Sequence, residues 1–115
     1  MSLHSYCVTV LFTVQAEKLE EFTAAVLNNA RLSLEVEPGC RVFDVCVGPT
    51  DPTVFLYELY DSADAFAQHL ASAHFIDFNE TTTGWTVSKS VTIYDRISDW
   101  PAGGAGTVDP GPGTA

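Results

Sequence analysis

Hydrophobic and polar positions alternate along four stretches of the chain, and this alternation predicts four β-strands. In the first stretch, Tyr, Val, Val, Phe and Val share one face, while smaller or more polar side chains take the other. A period of two that is rich in β-branched and aromatic residues is typical of a strand with one buried face. The predicted strands are Tyr6–Val14, Cys40–Val47, Thr53–Tyr60 and Trp85–Ile97.

Two other stretches change to a spacing of three to four residues, which predicts amphipathic helices. The first runs from residue 16 to residue 36 and ends before Pro38-Gly39, and Asn29 lies close to its apolar stripe. The second begins after Asp61, with Ser62 as its capping residue, and ends at Gly84, with a bend near Ser72. The apolar stripe of the first helix comprises Leu19, Phe22, Val26, Ala30 and Ser33, widened by Leu27 and Leu34.

The resulting order, β-α-β-β-α-β, is that of a ferredoxin-like α+β fold, in which both helices cover one face of an antiparallel sheet. The other face of this predicted sheet keeps Val, Phe and Tyr side chains with no third layer to cover them. Exposed apolar surface of this kind usually marks an interface. We therefore expect a homodimer that forms through the sheets.

Length and charge narrow the class of protein. The 115 residues fit one domain, and 46% of them are hydrophobic, which is enough for a core. We expect this domain to span residues 1–100, followed by a flexible tail over residues 101–115 that is rich in Gly and Pro. A formal net charge of −10 disfavours nucleic acid and membrane surfaces as partners. We do not expect the first residues to form a signal peptide, and no apolar run in the sequence is long enough to span a bilayer.

The cysteines argue for a reducing compartment. Cys7, Cys40 and Cys46 are odd in number, and no two of them are spaced as C-x-x-C. Neither a disulfide framework nor a zinc ribbon is therefore indicated. We expect free, buried thiols in a cytoplasmic protein.

Two polar residues stand out within apolar segments. His69 lies on the stripe of the second helix, and Glu58 lies in the middle of the aromatic-rich third strand. His69 is either a hydrogen-bonded core residue or a base for proton transfer. Glu58 is either an acid on a half-solvated face or an inward carboxylate that orients His69.

The sequence predicts neither a metal site nor a bound cofactor. His74 follows His69 by five residues, about 140° around an ideal helix, so the two point apart unless the helix bends. A metal site would need a third ligand, which no spacing supplies. A glycine-rich phosphate loop and G-x-G-x-x-G are both missing from the sequence, so a nucleotide cofactor is not expected.

Several motifs together resemble the antibiotic biosynthesis monooxygenase family. They are Glu37-Pro38-Gly39, then Phe43-Asp44-Val45, then FLYELY at residues 55–60, and finally HLASAHF at residues 69–75. The resemblance covers residues 5–97. It implies a dimeric α+β barrel and a ligand cleft between the sheet and the helices. It also implies oxygenation of small quinol-like or enolisable substrates by O₂ without metal or flavin.

The resemblance also assigns roles to individual residues. It makes His69 the base or hydrogen-bond donor and Glu58 the group that orients it or shares its proton, while Asn29 contacts the substrate. The other residues expected to bind substrate are Phe22, Phe43, Tyr57, Phe66, His74 and Phe75.

Three alternatives stay open at this point. One branch of the family isomerises a phosphorylated, sugar-derived signal molecule, but the five Lys and Arg residues here are scattered over separate elements. Another branch degrades haem with a Trp and a His at places where this chain has His69 and Asn79. The third is a non-catalytic dimer that binds a small ligand. A cleft filled by Phe22, Phe66 and Phe78, with no void beside His69, would favour this last alternative.

Overall fold

The computed structural model describes residues 5–98, so the predicted tail at residues 101–115 lies outside the described part. Its elements are β1 (Ser5–Val14), α1 (Leu19–Val36), β2 (Cys40–Val47), β3 (Thr53–Tyr60), α2 (Ala63–Leu70), α3 (Ala73–Thr82) and β4 (Thr86–Arg96). Short 3₁₀ turns precede α1 and β4. The predicted bounds of β2 and β3 are confirmed to the residue.

The four strands form one antiparallel sheet in the order β2-β3-β1-β4. This order and the placement of the helices confirm the α+β ferredoxin-like fold. Within the sheet, Glu58 of β3 lies between Val8 of β1 and Phe43 of β2. Because side chains alternate along a strand, Glu58 shares its face with Leu56 and Tyr60, and all three are buried.

The helices cover the inner face of the sheet, and aromatic residues fill one end of the layer between them. Phe12 of β1, Phe22 of α1 and Phe78 of α3 meet edge to face, with ring centroids 4.9 to 6.2 Å apart. This geometry is favourable for aromatic rings and anchors α1 and α3 on β1.

The buried stripe of α1 is narrower than the sequence predicts. Phe22, Val26, Ala30 and Ser33 are buried, as is Asn29, whereas Leu27 and Leu34 are exposed. The helix packs on β2 and α3, and leucines at the margin of the stripe fall outside these contacts.

The second helical stretch breaks in two at the predicted bend. Ser72 lies between α2 and α3, accepts a hydrogen bond from Phe75 N and donates one to the His69 carbonyl. Its side chain thus caps α3 and ties α3 to the end of α2. The break changes the chain direction between His69 and His74.

Two sets of apolar side chains stay uncovered on the described part of the chain. Leu11, Phe55 and Tyr94 are exposed on the outer face of the sheet. On β4, Val91 and Ile93 pair with inward-facing residues of β1 yet are exposed, because the helices do not reach this edge strand.

All three cysteines are free, but Cys46 is exposed rather than buried as expected. None of the described helices is long and apolar enough to span a membrane.

Candidate active site

His69 is a buried histidine whose ring is held by polar groups on one side. Its Nδ1 lies 2.8 Å from Glu37 Oε2 and 3.4 Å from Ser33 Oγ. The aromatic rings of Phe43, Tyr60, Phe66 and Phe75 surround it with centroids 5.1 to 6.2 Å away. The carboxylate can only accept, so Nδ1 carries the proton and Nε2 keeps its lone pair.

Glu37, and not Glu58 as predicted, is the carboxylate that orients the ring of His69. It follows directly after α1, and its Oε2 also lies 2.5 Å from His74 Nε2. One carboxylate therefore binds both histidines, and only 10% of its side chain is exposed. The Glu37-Pro38-Gly39 motif is the sequence signal for this residue. It marks the end of the helix and contributes to the family resemblance, but neither observation assigns Glu37 to the site.

Gly39 keeps Glu37 close to α2. A Cβ added at Gly39 would lie 2.6 Å from Ala65 Cβ, and the Gly39 carbonyl accepts a hydrogen bond from Asp61 N. Only glycine allows this close approach between the start of β2 and α2. The motif thereby sets the distance between Glu37 and His69.

Glu58 is buried, but its partner is Tyr60 rather than His69. Tyr60 donates a hydrogen bond of 2.5 Å to Glu58 Oε1. Desolvation raises the pKa of Glu58 to about 7, against the opposing effects of Tyr60 and Lys89. The expectation that Glu58 orients His69 is thus corrected, because the carboxylate that contacts the His69 ring is that of Glu37.

The pKa of His69 moves the other way. Burial lowers it, and the hydrogen bond to Glu37 offsets this only in part. A lowered pKa keeps the imidazole neutral near pH 7, the form that accepts a proton. A neutral histidine and a carboxyl group that titrates near pH 7 are the pair that proton-transfer chemistry uses.

A cavity of about 220 Å³ lies between the sheet and the helices, beside His69. Most of its wall is aliphatic or aromatic, and its polar groups are Asn29, Glu58, His69 and Lys89. Lys89 comes from the edge strand β4 and had not been predicted as a site residue. Its ammonium group lies 5.5 Å from the Phe12 ring and 5.9 Å from the Phe75 ring.

The structure brings most of the predicted substrate-binding residues to this cavity. Phe43, Phe66 and Phe75 line it together with Asn29, whose Oδ1 is buried with no hydrogen-bond partner among residues 5–98. Three other predicted residues are not brought to it. Phe22 packs in the aromatic core, Tyr57 lies on the outer side of the sheet beside Cys7, and His74 contacts Glu37 behind His69.

The family is shown by a direct comparison. The family model described as "Antibiotic biosynthesis monooxygenase" matches residues 5–81, so this chain belongs to that family. Membership supports a general monooxygenase-like role.

The chain is also similar to several solved structures. The chain is similar to "Putative antibiotic biosynthesis monooxygenase from Nitrosomonas europaea", with 29% identity, a TM-score of 0.79, and coverage of 84% of this chain and 94% of the other. Two further structures support the fold alone. A protein of the same description from Caulobacter crescentus has 24% identity, a TM-score of 0.78, and coverage of 82% and 91%. Rv0793 from Mycobacterium tuberculosis has 19% identity, a TM-score of 0.75, and coverage of 82% and 96%. A search of curated proteins found no match.

Proposed function

We propose that this protein is a cofactor-independent monooxygenase that acts on a small quinol-like or enolisable organic substrate. The observation that carries the proposal is an apolar cavity with a neutral histidine, a carboxyl group and a lysine in its wall. An apolar cavity of ~150 Å³ can bind benzene. The volume of about 220 Å³ therefore suits a substituted ring of modest size.

In this mechanism His69 is the base. Glu37 holds its Nδ1–H, and this leaves Nε2 to take a proton from a phenol or from an acidic carbon. Glu37 does not touch the substrate, so it is a positioning residue.

The remaining polar groups of the cavity wall stabilise charge, bind a substrate hydroxyl or transfer a proton. Lys89 stabilises the substrate anion, and Asn29 offers an unpaired carbonyl oxygen to a substrate hydroxyl. Glu58 has a pKa of about 7, so it can both give and take a proton at the substrate.

The reaction balances without another reductant. The electron-rich anion reacts with O₂, and a CH₂ carbon becomes a carbonyl. One oxygen atom enters the product, and the other leaves as water with the two hydrogens of that carbon. The apolar wall keeps bulk water from quenching the anion.

The void beside His69 supports a ligand-binding cleft rather than a filled core. Phe66 and Phe78 line the cavity without closing it, and Phe22 lies elsewhere. A phosphorylated signal molecule fits less well, because Lys89 is the only basic residue among the described residues of the wall.

His69→Ala tests the role of the base. We expect O₂ uptake with a panel of quinols and enolisable ketones to fall by about 10²-fold or more, the usual contribution of a general base. Gln68→Ala is the matched control, because this neighbour on α2 is exposed. Undiminished uptake in His69→Ala would contradict the assignment, and uptake that requires added metal would contradict a cofactor-free mechanism.

We also propose that two copies associate through their sheets. The support is the exposed apolar set Leu11, Phe55 and Tyr94 on the outer face. Leu11→Glu should lower the sedimentation coefficient from the value of a dimer to that of a monomer. Leu27→Glu introduces the same change at an exposed leucine of α1 and should leave the dimer intact. A monomeric wild-type chain would refute this arrangement.

A further inference from the structure

The network behind His69 has the composition of a metal site. Glu37, His69 and His74 each offer one ligand atom, and these atoms all lie within 4.8 Å of one another. The three residues come from the end of α1, from α2 and from α3. A set of two histidines and one glutamate is a common ligand set for Zn²⁺.

A second observation points to a ligand at the same place. Glu37 Oε1 is buried with no hydrogen-bond partner among residues 5–98, although the other oxygen of this carboxylate binds two histidines. An unsatisfied buried carboxylate oxygen is costly, and a cation beside it would remove that cost. The side chains of Glu37, His69 and His74 are only 10%, 3% and 9% exposed.

We propose that Glu37, His69 and His74 bind a divalent transition metal of the Zn²⁺ type, on the side of His69 that faces away from the cavity. Zinc–nitrogen distances are about 2.0–2.1 Å, so neighbouring ligand atoms in a tetrahedral site lie roughly 3.4 Å apart. The present contacts of 2.8 and 2.5 Å would have to open by less than about 1 Å to admit the ion. Water or Glu37 Oε1 completes the coordination.

Metal binding would change what His69 presents to the cavity. The ion takes the lone pair of Nδ1, so the ring proton moves to Nε2. His69 then becomes a hydrogen-bond donor and no longer accepts a proton. Zinc therefore acts as an inhibitor, a consequence that rests on the proposed function, whereas the binding itself does not.

The binding test uses calorimetry with ZnCl₂ on the full chain carrying Cys46→Ser, because Cys46 is an exposed thiol that could bind zinc. We expect one site per chain with a Kd of about 10 µM or tighter. His74→Gln keeps an N–H donor for Glu37 but removes an imidazole, and it should weaken binding by at least about tenfold. Glu37→Gln should do the same.

Glu80→Gln is the matched control for charge, because Glu80 is an exposed acid on α3. It should leave the affinity unchanged. Equal affinity in all four proteins would overturn the proposal, as would the lack of any binding to the parent chain.

A second measurement needs no variant of the site and no substrate. Nitrogen-15 NMR should show His69 protonated on Nδ1 without metal and on Nε2 with zinc. X-ray absorption should give a first shell of nitrogen and oxygen with two imidazoles. An unchanged tautomer or a sulfur ligand would overturn the site. The inhibitory consequence is tested separately, by measuring O₂ uptake with and without zinc. If the proposed oxygenation fails, the binding result can still be interpreted.

Discussion

The layer between the helices and the sheet has two ends of opposite character. At one end, Phe12, Phe22 and Phe78 pack edge to face and carry no polar atoms. At the other end, Glu58, His69 and Tyr60 are buried, and Glu37 and His74 beside them are largely buried. The aromatic end gains stability from burial, whereas the polar end contains carboxylates that burial penalises.

This difference indicates that the aromatic end stabilises the fold and that the polar end forms the candidate active site. A buried acid, a second acid that is largely buried and an unpaired amide oxygen in one region would be poor choices for stability alone. They fit a site that binds and moves protons, because local violations of packing rules concentrate at functional sites.

Truncating the aromatic end should have the largest effect on stability. Phe22 is fully buried, so Phe22→Ala should lower the free energy of unfolding by about 3–5 kcal/mol. Urea unfolding followed by circular dichroism measures this change. A loss below about 1 kcal/mol would show that the aromatic cluster is not what stabilises this fold.

Neutralising the polar end should instead increase stability at high pH. The pKa of Glu58 is raised from 4.5 to about 7 in the folded chain, so ionising it opposes folding. This penalty is absent below pH 4.5, grows as the pH rises towards 7, and is complete above pH 7. Glu58→Gln keeps an acceptor for Tyr60 and should raise the free energy of unfolding at pH 8 by on the order of 3 kcal/mol.

Unfolding of this variant and of the wild type at pH 4 and pH 8 provides the comparison. The two proteins should differ little at pH 4. A variant that is less stable than the wild type at pH 8 would show that Glu58 is not destabilising when ionised.

The smallest effect is expected at the joint between α2 and α3. Ser72→Ala removes the cap of α3 and the hydrogen bond to the His69 carbonyl, and should cost about 1 kcal/mol. Ser62→Ala removes the equivalent cap of α2 and serves as the control. Both should lower stability to a similar extent, but only Ser72→Ala should change the NMR signals of His74, since Ser72 sets the direction of α3. Equal His74 signals in both variants would contradict this role.

The sequence by itself determined much of this protein. Period-two alternation together with the turn residues on either side located β2 and β3 to the residue. The sequence also identified His69, Glu58 and Asn29 as polar residues in apolar surroundings, and all three line the cavity. Local spacing is enough for such predictions, since it depends only on neighbouring residues.

Only the tertiary structure decided how these residues are connected. Glu37 lies 32 positions before His69 and beyond the end of a helix, so no periodicity links the two. His74 reaches Glu37 because α2 and α3 diverge at Ser72, and Lys89 reaches the cavity because β4 pairs with β1. Contacts between distant segments depend on how whole elements pack, which local patterns do not encode. This is why the sequence could offer Glu58 only as a candidate partner of His69, whereas the structure places Glu37 beside the ring.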